Sequence, residues 1–127
     1  MANELILIVE DNEKNLKLVR DVLQYKGYQT IEAGTGEDGV RLARERGPAL
    51  ILMDIQLPGI DGITALGQLR ADSATRAIPV IAVTASAMTQ DRKKIMAAGF
   101  DGYQTKPIKV REFMDAVRET LDRRTAG

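Results

Sequence analysis

The stretch Leu50-Ile51-Leu52-Met53-Asp54-Ile55-Gln56-Leu57-Pro58-Gly59 decides the fold. Four large apolar residues run into one carboxylate, and a Pro-Gly turn signal follows. An apolar run this short, bounded by turn residues, reads as a strand buried on both faces. A carboxylate at the end of such a strand is costly to bury unless something pairs with it. Asp54 is therefore the residue to explain.

Strands and helices alternate on either side of this stretch. Leu5-Ile6-Leu7-Ile8-Val9 is a second wholly apolar strand. From Glu13 to Lys26 the residues Leu16, Val19, Val22 and Leu23 recur at helical spacing, and Gly27 stops the helix. Tyr28 to Ala33 alternates like a half-exposed strand, and Glu37 to Arg46 is helical up to Gly47-Pro48. After the opening strand come a helix from about Gly62 to Ala71, a strand Pro79 to Val83, and a helix Gln90 to Ala98 ended by Gly99. Phe100 to Thr105 is a more polar strand. Arg111 to Arg123 closes the chain as a helix with Phe113, Ala116, Val117 and Leu121 on one face. Repeated βα units imply a parallel sheet with helices on both faces. Strands one, three and four are apolar throughout and belong in the centre, whereas two and five carry polar residues and belong at the edges. A flavodoxin-like, doubly wound (βα)5 sheet of order 2-1-3-4-5 satisfies both conditions, with its site at the carboxyl ends of the strands.

Composition narrows the chemistry. The 127 residues suit one domain, and 44% hydrophobic with 28% charged residues is a globular balance. Eighteen basic residues offset 18 acidic ones, so no global field favours nucleic acid or an anionic membrane. Without cysteine or histidine there are no disulfides, thiolate metal sites or imidazole catalysis. No signal peptide precedes Leu5, and no apolar run approaches the roughly 20 residues of a membrane span. The expectation is a soluble, cytoplasmic chain with no membrane insertion.

The residues that end the strands carry the signal. Strand one ends in Glu10-Asp11, strand three in Asp54, strand four in Thr84 and strand five in Lys106-Pro107. Two carboxylates about 4 Å apart repel by about 4 kcal/mol at an effective dielectric of about 20. A hard divalent cation removes that conflict, and Mg²⁺ suits an all-oxygen set that leaves room for a phosphate oxygen. Lys106 adds a positive charge and Thr84 a hydroxyl donor, which together describe a place for a phosphoryl group. Asp54 is the central carboxylate and the natural nucleophile.

Val9-Glu10-Asp11-Asn12, Met53-Asp54-Ile55-Gln56-Leu57-Pro58, Val83-Thr84-Ala85 and Lys106-Pro107 resemble the receiver domains of two-component response regulators, over essentially the whole chain. The strings MDIQLP and AVTASAM are similar to those of stand-alone cell-cycle regulators in that family. The resemblance implies one receiver domain over 1–127 with no output domain. It implies that Asp54 accepts a phosphoryl group from a phosphohistidine of a sensor histidine kinase or histidine phosphotransfer protein. Glu10, through water, and Asp11 would hold Mg²⁺ together with Asp54 and the backbone carbonyl of Gln56, and Mn²⁺ could substitute. Lys106 would pair with Asp54 or its phosphoryl group, and its bond to Pro107 would be cis. Thr84 would swing towards the phosphoryl group, with Tyr103 as the aromatic switch. The chain would then be no enzyme beyond slow self-catalysed phosphotransfer and dephosphorylation, and would signal by contact with a downstream protein. That contact would use the fourth helix, fifth strand and fifth helix, while the first helix would dock the phosphodonor.

Rival readings exist. Gly34-Thr35-Gly36-Glu37-Asp38-Gly39 fits a dinucleotide fingerprint, with Asp54 placed like a ribose-binding acid. Glu37 and Asp38, however, put negative charge where a pyrophosphate would rest, and the loop leaves an edge strand. A phosphatase with an aspartyl-phosphate intermediate would want an acid where Gln56 stands. A metal site of structural use only leaves Lys106 unexplained. Taken singly, each residue has an ordinary use: an acidic pair as a helix cap, Thr84 as a β-former, Lys106 as an edge charge. Their joint occurrence at four strand ends is what argues for a site.

Overall fold

The computed structural model describes residues 3–85 and 88–126, so Ser86 and Ala87 of the AVTASAM string lie outside the described residues. The elements run β1 (Leu5–Val9), α1 (Glu13–Tyr25), β2 (Gln29–Ala33), α2 (Gly36–Arg46), β3 (Leu50–Asp54), α3 (Gly62–Ala71), β4 (Val80–Thr84), α4 (Thr89–Ala97), β5 (Gly102–Thr105) and α5 (Val110–Ala126). All strand pairings are parallel, in the order β2-β1-β3-β4-β5. Every residue of β3 and β4 is buried, whereas β5 is only half-buried along its length, as expected of an edge.

Alternate residues of the central strands feed two core layers. Leu7, Val9, Ile51, Met53, Val80 and Ala82 pack under α2, α3 and α4. Ile6, Ile8, Leu50, Leu52 and Ile81 pack under α1 and α5, where Phe113, Val117 and Leu121 meet them. The fifth strand begins two residues later than its sequence suggests. Phe100 turns into the first layer as a plug, and Asp101 closes the loop: its N–H donates to the Val80 carbonyl at 2.8 Å, and its carboxylate accepts from the Val80 N–H at 2.8 Å and from Arg70. Pro79 lies just before β4: it has no N–H to give, and its carbonyl accepts from the Ile51 N–H at 3.0 Å.

One close approach fixes the site's floor. The Gly62 N–H, at the start of α3, donates to the Ile55 carbonyl at 3.0 Å. A Cβ at Gly62 would lie 2.5 Å from the Asp54 carbonyl oxygen and 2.9 Å from the Ile55 Cα, both backbone atoms. Gly62→Ala should therefore destabilise the fold by about 1–3 kcal/mol, as overpacking against backbone does. Denaturant unfolding measures it, and an unchanged midpoint would mean that α3 shifts freely.

Candidate functional site

Backbone ladders run one residue past the strands and hold the site from below. The Glu10 N–H donates to Ala33 at 3.0 Å, the Ile55 N–H to Val83 at 3.0 Å and the Lys106 N–H to Thr84 at 2.8 Å. These bonds bring Glu10, Asp54, Thr84 and Lys106 to the same end of the sheet. Beside them the side chain of Asn12 caps α1, accepting from the Lys14 N–H at 3.0 Å and the Asn15 N–H at 3.1 Å. The Asn12 N–H donates to Glu10 Oε2 at 3.2 Å. The acidic pair is therefore not used up as a helix cap. An Asn directly before the first helical residue was the sequence signal for this.

Glu10 and Asp54 are about as buried as core leucines, at 5% and 4% exposure. Lys106 answers both: its Nζ lies 2.7 Å from Glu10 Oε1 and 3.0 Å from Asp54 Oδ2. The Gln56 N–H donates to the other oxygen of Asp54, Oδ1, at 3.0 Å. Pairing of Lys106 with Glu10 as well as Asp54 goes beyond the sequence expectation, as does the use of the Gln56 amide. Asp11 stands exposed beside them, and one oxygen from each of Glu10, Asp11 and Asp54 falls within 4.8 Å of the others. Burial pushes the Glu10 carboxyl above its ordinary range, Asp54 beside it adds to this, and Lys106 offsets part. For Lys106 burial works against the charge, but its two carboxylate partners outweigh that and hold its pKa above the usual lysine value. The arrangement is a net-negative nest with one cation in it, which attracts a second cation.

Thr84 is buried at the end of β4, opposite Thr105 on β5. Tyr103 lies apart from the carboxylates, opposite Ala82 on β5 and half-buried, with the Arg92 guanidinium 5.6 Å from its ring centroid. No sequence signal links Arg92 to Tyr103, because they sit on different elements. The Lys106–Pro107 peptide bond is cis. Among the described residues, no buried side-chain nitrogen or oxygen lacks a partner.

Residues 6–118 match the family model described as the response regulator receiver domain. The chain belongs to that family. Phosphoryl acceptance by an aspartate is the family's function, its members work with kinases and phosphotransfer proteins, and they bind Mg²⁺ in the active site. This receiver is 47% identical to the polar-differentiation response regulator DivK of Brucella ovis over 116 residues, 91% of this chain and 94% of that protein. Its fold is similar to the receiver domain of a Pseudomonas aeruginosa sensor histidine kinase, solved with a magnesium ion coordinated in the active-site cleft. That likeness has a TM-score of 0.88 and 35% identity, and covers 95% of this chain and 99% of that one. A CheY-like receiver from Methanospirillum hungatei gives a TM-score of 0.89 at 27% identity, with 98% of both chains covered.

The glycine-rich loop has a packing explanation in this receiver. Thr35 caps α2 by accepting from the Asp38 N–H at 3.1 Å. A Cβ at Gly36 would lie 2.7 Å from the Ile60 carbonyl, and one at Gly39 would lie 2.8 Å from Val9 Cγ2. These glycines admit the loop after β3 and a strand, and need no pyrophosphate to account for them.

Proposed function

We propose that this receiver accepts a phosphoryl group on Asp54 from a phosphohistidine of a sensor histidine kinase or histidine phosphotransfer protein, with Mg²⁺ at the acidic cluster. The observation that carries this reading is the nest itself: three carboxylates with oxygens within 4.8 Å and Lys106 bridging two of them. In the transfer an Asp54 carboxylate oxygen gives an electron pair to phosphorus. The P–N bond breaks, the imidazole nitrogen keeps that pair, and it takes up a proton from solvent. The Gln56 N–H fixes the Asp54 carboxylate while this happens. Lys106 meets negative charge on the phosphoryl oxygens as a point cation. The donor set is all oxygen and acidic, which suits Mg²⁺ and also accommodates Mn²⁺. Glu10, through water, Asp11, Asp54 and the Gln56 carbonyl would hold the ion, which would neutralise charge on the nest and the incoming group. Slow attack by water on the acyl phosphate releases phosphate and restores the carboxylate.

Output in this reading is contact with a downstream protein through α4, β5 and α5. The donor docks on α1. The reading implies a cytoplasmic location, and no described helix is long and apolar enough to cross a membrane. The test is transfer from a purified, radiolabelled phosphohistidine donor. The receiver should take up label with Mg²⁺ and take up none with EDTA. Metal-independent uptake would contradict the proposal.

Thr84 would relay the event. A phosphoryl group adds nearly two charges and three acceptor oxygens, which draw in the nearby hydroxyl. Moving a two-state element from about 1:99 to 99:1 needs about 5.5 kcal/mol. One charge-assisted hydrogen bond supplies about 1.5–3 kcal/mol, so Lys106 and burial of the Tyr103 ring must add the rest. Thr84→Ala should accept phosphoryl normally yet shift Tyr103 only partly on binding beryllofluoride, a phosphoryl mimic. Tyr103 NMR signals measure this, and a full shift in the mutant would remove Thr84 from the relay.

A further inference from the structure

The α4 helix packs beside β5. Ile95 is its buried side chain, and no side-chain hydrogen bond caps its N-terminus at Met88. Arg92, exposed and one turn before Ile95, reaches over the ring of Tyr103 with its guanidinium 5.6 Å from the centroid. Tyr103 in turn packs against the core layer beneath α2, α3 and α4. A guanidinium over a ring face is held by the ring's quadrupole, and its planar shape stacks as an ammonium cannot.

We propose that Arg92 is a positioning residue for Tyr103: its stack holds the ring half-buried at the surface and ties it to α4. The proposal rests on the reading of Tyr103 as the residue that moves inward when Asp54 is phosphorylated. An inward ring leaves the guanidinium behind, because an exposed cation that followed it would lose its water. The stack therefore opposes the active arrangement and is broken each time the receiver switches.

Removing the stack should raise the resting population of the inward ring about two- to fivefold, the range a surface cation–π contact commands. While that state is minor, linkage tightens binding of a phosphoryl mimic by the same factor. The direction is diagnostic. Deleting a positive charge weakens binding of an anion on electrostatic grounds alone, whereas release of Tyr103 strengthens it.

The experiment titrates Mg²⁺-loaded wild type, Arg92→Gln and Arg92→Lys with beryllofluoride, following the Tyr103 signals by NMR. The expected result for Arg92→Gln is a midpoint two- to fivefold lower, with the resting Tyr103 signal displaced towards its bound position. Arg92→Lys, which keeps the charge and loses the planar stack, should fall between. A midpoint equal to or above wild type, with wild-type Tyr103 still responding, overturns the role of Arg92 alone. A wild-type Tyr103 that ignores beryllofluoride overturns the switch reading and this proposal with it.

Discussion

Asp54→Asn should abolish phosphoryl acceptance and leave the fold standing. The substitution keeps the shape, and its carbonyl oxygen can still accept from the Gln56 N–H as Oδ1 does now. It removes the anionic oxygen that must attack phosphorus, and an amide is no substitute at that step. Stability should hold because Lys106 keeps its shorter partner, Glu10 Oε1 at 2.7 Å. One of three crowded carboxylates is also gone, so the melting temperature in EDTA should equal or exceed that of wild type. The Glu10 carboxyl should titrate lower in the mutant, since burial remains but the neighbouring Asp54 charge that adds to its shift is lost. A carboxyl with a raised folded pKa weakens the fold as pH rises through that range, so this penalty shrinks. Acid–base titration of Glu10 by NMR checks the shift, and mass spectrometry after acetyl phosphate treatment checks the loss of acceptance.

The second large effect concerns the metal. Asp11→Ala should remove both Mg²⁺ binding and phosphoryl acceptance, although Asp11 is the exposed member of the nest. Its removal takes away a donor without leaving a buried charge unpaired, so the apo protein should be no less stable than wild type. The wild type, in contrast, should gain about 2.7 kcal/mol at Mg²⁺ concentrations of about 100 times Kd, by mass action alone. Thermal melts with and without Mg²⁺ should therefore separate for the wild type and coincide for the mutant. Equal Mg²⁺ stabilisation of both would mean that Asp11 is no ligand.

Strand polarity carried most of the fold. Apolar β1, β3 and β4 had to be central, and Gln29, Thr30 and Glu32 on β2 and Gln104 on β5 marked edges, which fixed the sheet order. The sequence was a poorer guide where a side chain left the ladder for the core. Phe100 reads as a strand residue by type, yet it fills a gap beneath the helices while Asp101 closes the loop. At the site, residue types at strand ends pointed to Glu10, Asp11, Asp54, Thr84 and Lys106, because parallel sheets bring those ends together. Which atoms pair could not be read that way. The choice of Lys106 to bridge Glu10 and Asp54, the Gln56 amide on Asp54, and the Arg92–Tyr103 stack depend on side-chain directions across separate elements. No linear spacing encodes those directions.

The most direct measurement of the central claim locates the phosphoryl group. Wild-type protein is incubated with acetyl phosphate and Mg²⁺, digested under mild conditions and mapped by mass spectrometry, with a hydroxylamine-treated sample alongside. The predicted result is a single phosphoryl group on the peptide containing Asp54, removed by hydroxylamine as an acyl phosphate must be. A label on Glu10, Asp11 or a hydroxyl residue, or one that survives hydroxylamine, would contradict the assignment of Asp54 as the acceptor.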